Sequence, residues 1–166
     1  PEFHKKLGKL KFLDPACGTC AAFYPLVKQI MAANPGRIRL VIRYAPFHQG
    51  ADKVVAALEA TRKQGKYWQA LEALLASQEA WAPNHTAQVD LIWKQWEGLG
   101  LDLDKVRADM QSPEIARAIA QDIEDAILPR RRCYTFDDTH SDYVSMVAQL
   151  PPTTSLTSDP RVLEAV

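Results

Sequence analysis

Two thiols stand three residues apart at Cys17-Gly18-Thr19-Cys20, where a short apolar run at residues 10–13 gives way to a helical pattern. On the first turn of a helix, such a pair faces one another. The first sulfur can attack a disulfide, and the second can then attack the mixed disulfide that results. A free thiol titrates near ~8.5 and is mostly protonated at neutral pH, so it needs help to react. The partial positive charge of a helix N-terminus supplies that help by favouring the thiolate. The same spacing suits zinc, but a structural zinc site takes four ligands, normally a second pair of Cys or His. The remaining candidates, Cys133, His4, His48, His85 and His140, are scattered without ligand spacing. Redox chemistry, a zinc half-site and an inert pair are the three readings open at this point, and the spacing favours the first.

The elements that must position the pair read as strand, helix, strand. Leu10, Phe12 and Leu13 form a short strand at residues 9–13, and Asp14-Pro15 breaks it. From Gly18 to about Ala33, the residues Phe23, Leu26, Val27, Ile30 and Met31 fall at helical spacing. Pro25 inside that stretch removes one helix hydrogen bond and is expected to bend it. Asn34-Pro35-Gly36 ends the helix. Residues 38–44 then alternate apolar Ile38, Leu40 and Ile42 with arginines, as a strand does, and the helix between the two strands implies a parallel crossover.

A long helical region follows. Helices are expected over residues 52–63, 67–77, 89–96 and 103–110, with a polar loop holding Pro83-Asn84 between the second and third. A last one starts at Ser112-Pro113-Glu114, with proline at the first helical position, and carries Ile115, Ile119, Ile123 and Ile127. These stripes, tryptophans included, read as core rather than as a cofactor box. Residues 130–166 read differently: short strands at 134–136 and 143–150 (the latter a strand or a helix), then a Ser/Thr/Pro-rich loop at 151–160.

Composition bounds the function classes. The chain has 166 residues, 47% of them hydrophobic, enough for one domain with its own core. Its 20 basic and 20 acidic side chains cancel, so no electrostatic case exists for nucleic acid. No apolar stretch approaches the ~20 residues of a membrane span. The N-terminus lacks a signal-peptide pattern, but an exported chain whose leader has been removed would look the same. Three cysteines are too few for a disulfide scaffold.

With these residues in place, a resemblance can be stated. The segments FLDPACGTCAAFYP and RYAPFHQGADKVVAALEATRKQGKYWQALEALLASQ are similar to the DsbA-like branch of the thioredoxin fold, in which a helical subdomain is inserted after the second strand. LDLDKVRADMQSPEIARAIAQDIEDA resembles the end of that insertion, so the likeness runs from about residue 9 to residue 127. It implies an α/β chain divided as follows: a β-α-β half with the Cys pair at residues 1–50, a helical insertion and returning helix at 51–128, and the remainder of the thioredoxin half at 129–166. It implies a thiol:disulfide oxidoreductase acting on cysteines of polypeptides in an exported, periplasm-like compartment, with a membrane partner to reset it. Oxidase, reductase and isomerase directions remain open. Cys17 would be the exposed attacking thiol and Cys20 the buried resolving one, with no cofactor and no metal. Gly18-Thr19 supplies neither imidazole nor proline, so the pair is expected to be less oxidising than DsbA itself, at roughly −120 mV. His48, in the Pro46-Phe47-His48 turn, either fixes that turn, the simpler reading, or lies near the thiols, aiding proton transfer or substrate binding. Asp14 either caps the helix or ends the strand.

The tail departs from that pattern. The second thioredoxin half normally brings a cis-proline strand beside the cysteines, and its neighbouring backbone holds substrate. Pro152-Thr153 is the nearest match, yet only 13 residues follow Thr153. At roughly 3.3 Å per strand residue, two strands and a turn would use nearly all of them. The second sheet half is therefore expected to be divergent, to be incomplete through an altered tail, or to be completed by a second chain in a strand-swapped homodimer. A catalytically weak binding module without its proline loop is the alternative function. Cys133, behind three arginines, is either a plain cysteine or an intermolecular disulfide former.

Overall fold

The computed structural model describes residues 7–36, 38–127 and 162–164. Strand β1 (Leu7–Leu13) leads through helix α1 (Gly18–Ala32) to strand β2 (Ile38–Tyr44), and the two strands pair in parallel with Leu13 opposite Tyr44. A third strand, β3 (Val162–Glu164), lies antiparallel on the far side of β2, giving the order β1-β2-β3. A parallel pair must be joined by a crossover, and α1 is that crossover.

Between β2 and β3 lies the helical region: α2 (Ala51–Ala60) with a 3₁₀ turn over Thr61–Gln64, α3 (Tyr67–Ala76), α4 (Gln78–Trp81), a 3₁₀ turn over Pro83–His85, α5 (Val89–Gln95), α6 (Leu103–Asp109) and α7 (Pro113–Ile127). Local sequence explains the boundaries. Asp102 accepts from Lys105 N at 3.0 Å and caps α6. Pro113 opens α7, where a missing N–H costs nothing, and Ser112 Oγ accepts from Ile115 N. The expected strands at 134–136 and 143–150, the loop at 151–160, Cys133 and Pro152 lie outside the described residues. β3 itself was not anticipated.

The core joins sheet and insertion. Leu13, Leu40, Ile42 and Tyr44 pack with Val54, Val55 and Leu58 of α2 and with Leu71 and Leu74 of α3, all buried. Trp81 and Trp96 are core residues too, and each indole is satisfied: Trp81 Nε1 donates to Leu74 O at 2.9 Å, and Trp96 Nε1 to Ala70 O at 3.0 Å. Two details differ from the sequence pattern. In α1 the buried stripe is Tyr24 and Met31 with Val27 partly covered, while Leu26 and Ile30 are 44% and 42% exposed. Arg43 does not face water. It pairs with Asp122 and, at 2.7 Å, with Asp125, so α7 is pinned to β2 by charge. Asp122 is almost wholly buried and also accepts from Tyr44 N at 3.0 Å, so the carboxylate is fully engaged.

Candidate active site

The site begins where β1 stops. Asp14 folds its side chain back so that Oδ1 accepts from Ala16 N at 2.9 Å, and its own carbonyl accepts from Cys17 N at 3.1 Å. That tight turn ends the strand and leaves Cys17 as the N-cap residue of α1, in extended backbone with φ −81° and ψ 116°. A sulfur therefore occupies the position where a helix ordinarily places the oxygen of Ser, Thr or Asp. Gly18, Thr19 and Cys20 form the first turn above it.

Cys17 and Cys20 are both in the reduced, thiol form and both half-buried. Cys20 packs against the core cluster, whereas Thr19 between them is exposed. The Cys17 thiol is pulled down to about 5. The largest cause is the hydrogen bond from the Cys20 thiol. Burial opposes it, the backbone N–H groups of Cys20 and Thr19 reinforce it, and the field of His48 adds least. A thiol with that pKa is an anion at neutral pH.

The other oxygen of Asp14 ties the site to β2. Oδ2 accepts from Phe47 N at 2.8 Å, from His48 N at 2.9 Å and from His48 Nδ1 at 2.7 Å. One carboxylate thus holds the turn before α1 and the turn after β2 together. Ala45 N donating to Leu13 O at 3.1 Å extends that join. The carboxylate neither caps α1 nor merely ends the strand. Because it can only accept, it keeps a proton on His48 Nδ1.

A third strip of chain reaches the site from the insertion. Ala87 N donates to Gln49 O at 2.9 Å, and a Cβ on Gly50 would sit 2.4 Å from Ala87 O, so only glycine allows the two loops to approach. Gly50 also has φ +77°, which favours glycine independently. This contact brings His85 beside His48, with ring centroids 5.2 Å apart. His85 Nδ1 donates to Ala16 O at 3.1 Å. Gln78 Nε2 donates to Pro15 O at 2.7 Å and to Cys17 O at 3.0 Å.

Of the residues singled out in the sequence, Cys17, Cys20 and His48 come together here, and Pro152 lies outside the described residues. None of the peptide bonds among the described residues is cis. Gln78 and His85 carried no local signal toward the site, since they lie more than sixty residues along the chain from the atoms they touch. No three of the described His, Cys, Asp and Glu residues converge as metal ligands.

Comparison with known proteins places this geometry in a lineage. The family model described as Thioredoxin matches residues 10–128. The chain belongs to the thioredoxin family. Among solved structures, this thioredoxin-family chain is similar to a thioredoxin-like oxidoreductase from Silicibacter pomeroyi. The two have a TM-score of 0.63 and 28% identity over 76% of this chain and 71% of that one. The oxidoreductase DsbA from Xylella fastidiosa matches with a TM-score of 0.61 and 18% identity over 76% and 68%. The α-DsbA1 of Wolbachia pipientis gives 0.59 and 19% over 76% and 69%. The fold is thus thioredoxin-like with a DsbA-like helical insertion. A curated relative, a Na(+)/H(+) antiporter NhaA 3 of Salinispora tropica, is 31% identical over 122 residues, which is 72% of this chain and 18% of that protein. The chain spans about a fifth of the length of the curated relatives it matches.

Proposed function

We propose that the protein is a thiol:disulfide oxidoreductase that exchanges disulfides with cysteines of polypeptide substrates through Cys17 and Cys20. The observation that carries this reading is the Cys17 sulfur at the N-cap of α1, with its thiol lowered to about 5 and Cys20 one turn away. The DsbA-like fold supports it.

The chemistry balances on sulfur alone. In the oxidising direction, a substrate thiolate attacks Cys17 Sγ of the Cys17–Cys20 disulfide, and Cys20 departs as the thiolate. A second substrate thiolate then attacks the substrate sulfur of the mixed disulfide. A substrate disulfide forms, Cys17 leaves as its stabilised thiolate, and two electrons now rest on the Cys pair. In the reducing direction, Cys17 attacks a substrate disulfide and Cys20 releases the product. A low Cys17 pKa favours the oxidising direction, because it makes Cys17 the better leaving group and stabilises the dithiol form.

The field of His48, held by Asp14, adds the smallest share to the lowering of the Cys17 thiol. Phe47, half exposed next to it, offers an apolar contact for a substrate chain. The oxidising direction needs an oxidising setting, and the same reading therefore includes an exported, periplasm-like compartment with a membrane partner that resets the pair. Substrate holding by Pro152 belongs to this same proposal.

Insulin reduction and oxidation of a dithiol peptide test it directly. The unmodified chain is expected to be active in at least one, and Cys17→Ser is expected to abolish that activity. An unmodified chain inactive in both would overturn the enzyme reading and leave a thioredoxin-fold binding module.

A further inference from the structure

Three consecutive carbonyls run through the active-site turn, those of Pro15, Ala16 and Cys17, and all three accept hydrogen bonds from side chains of the helical insertion. Gln78, at the start of α4, spans two of them, donating to Pro15 O and Cys17 O from one amide nitrogen. His85 takes the one between, donating from Nδ1 to Ala16 O. Gln78 is buried, so its amide is committed to this contact.

The way His85 arrives is unusual. Asn84 and His85 both have positive φ, 51° and 59°, a region that residues with a side chain rarely occupy. The strained pair delivers the imidazole to the space above Gly18. A Cβ built there would lie 3.2 Å from His85 Cε1 and 3.6 Å from Gln78 Oε1, tighter than ordinary packing on the first count. The φ of Gly18 is not positive, so its backbone does not demand glycine; the neighbours do. An imidazole from the insertion thus lies over Gly18.

We propose that Gln78 and His85 are positioning residues through which the helical insertion sets the reactivity of Cys17, by holding the carbonyls of residues 15–17 and by filling the space over Gly18. The physical route is electrostatic. Each carbonyl oxygen carries partial negative charge, and all three belong to the turn that carries the Cys17 sulfur, whose ionisation negative charge disfavours. Donors that hold those oxygens reduce the repulsion and keep the turn in the shape that points the N–H groups of Thr19 and Cys20 at the sulfur. The inference rests on the redox reading of Cys17 and Cys20 and adds what tunes it.

The test uses the full chain and two readouts: the Cys17 pKa from the pH dependence of its alkylation, and the Cys17–Cys20 potential from equilibration with glutathione buffers. Gln78→Met removes the donor while keeping the side chain's length. His85→Gly removes the donor while keeping a backbone suited to positive φ. His85→Asn restores a donor near the Nδ1 position on a residue that tolerates that backbone. Gln78→Met and His85→Gly together are expected to raise the Cys17 pKa by about one unit. That tenfold change corresponds to about 30 mV toward a less oxidising potential. His85→Asn is expected to recover most of the His85 share. Gly18→Ala is expected to move both readouts in the unmodified chain and to be neutral in His85→Gly, because the clash is then gone.

Folded variants that lose thermal stability but keep the Cys17 pKa and potential would reduce the two residues to structural supports and overturn the proposal. So would a Gly18→Ala effect that is the same with and without His85. An unmodified chain whose pair does not exchange with glutathione would instead overturn the redox reading on which the proposal stands.

Discussion

Replacing Asp14 with alanine removes one carboxylate and strands several donors at once. Ala16 N, Phe47 N, His48 N and His48 Nδ1 all lose their acceptor, at present distances of 2.7–2.9 Å. Leaving a buried donor unsatisfied costs ~1–3 kcal/mol, and the bond lost to a charged acceptor is at the upper end of the usual range. Ala16 N is buried, while the contacts at residues 47 and 48 are only partly so and can recover water. The net loss is therefore about 3–5 kcal/mol rather than the sum of four full penalties. For a chain of this size, that corresponds to roughly a 10 °C fall in Tm. Urea titration of the reduced protein, read by far-UV circular dichroism, measures it. Asp14→Asn keeps one carbonyl acceptor and should lose about half as much. Asp14→Ala frees the His48 ring, so the Cys17 pKa should rise slightly, by less than on loss of Cys20. A stability loss under about 1 kcal/mol in Asp14→Ala would refute the idea that this carboxylate joins the two turns.

Two further outcomes follow from the thiol chemistry. Cys20→Ala removes the donor that does most to lower the Cys17 pKa, so the alkylation profile of Cys17 should move to higher pH and do so more than in any His48 variant; an unchanged profile would shift the cause to the backbone N–H groups. Stability should also depend on pH in the reduced protein. Cys17 is lowered to about 5 when folded and returns to an ordinary thiol value when unfolded, so above pH 5 the unfolded state binds more protons. The reduced form should therefore gain stability over the disulfide form as pH rises from about 5 toward about 9 and lose that advantage as pH falls through 5. Parallel curves for the two forms across that range would contradict it.

The first half of the molecule was legible because its signals are local. Alternation in Leu10, Phe12 and Leu13, a breaker at Asp14-Pro15, and helical spacing from Gly18 onward give β1-α1-β2 and place the two thiols on one turn. Proline at the first helical position likewise announced α7. What could not be read was contact across long stretches of chain. Arg43 looked like the polar half of an alternating strand, and only packing of α7 shows that it meets Asp122 and Asp125. Pro83-Asn84 was readable as a loop, but nothing in it says that His85 will hang over Gly18. Leu26 and Ile30 fit the helical stripe and are nevertheless outside the buried face. β3, at three residues, is too short to show alternation, so its pairing with β2 had no sequence signature.

Cys17 reactivity is the measurement on which most depends. The reduced chain can be alkylated with iodoacetamide across a pH series and the modified peptide quantified by mass spectrometry, which separates Cys17 from Cys20 and Cys133. A rate that titrates with a midpoint near pH 5 and is already at its plateau at neutral pH is the expected result. A midpoint at about 8.5, where a free cysteine titrates, would contradict the assignment of Cys17 as the activated thiol.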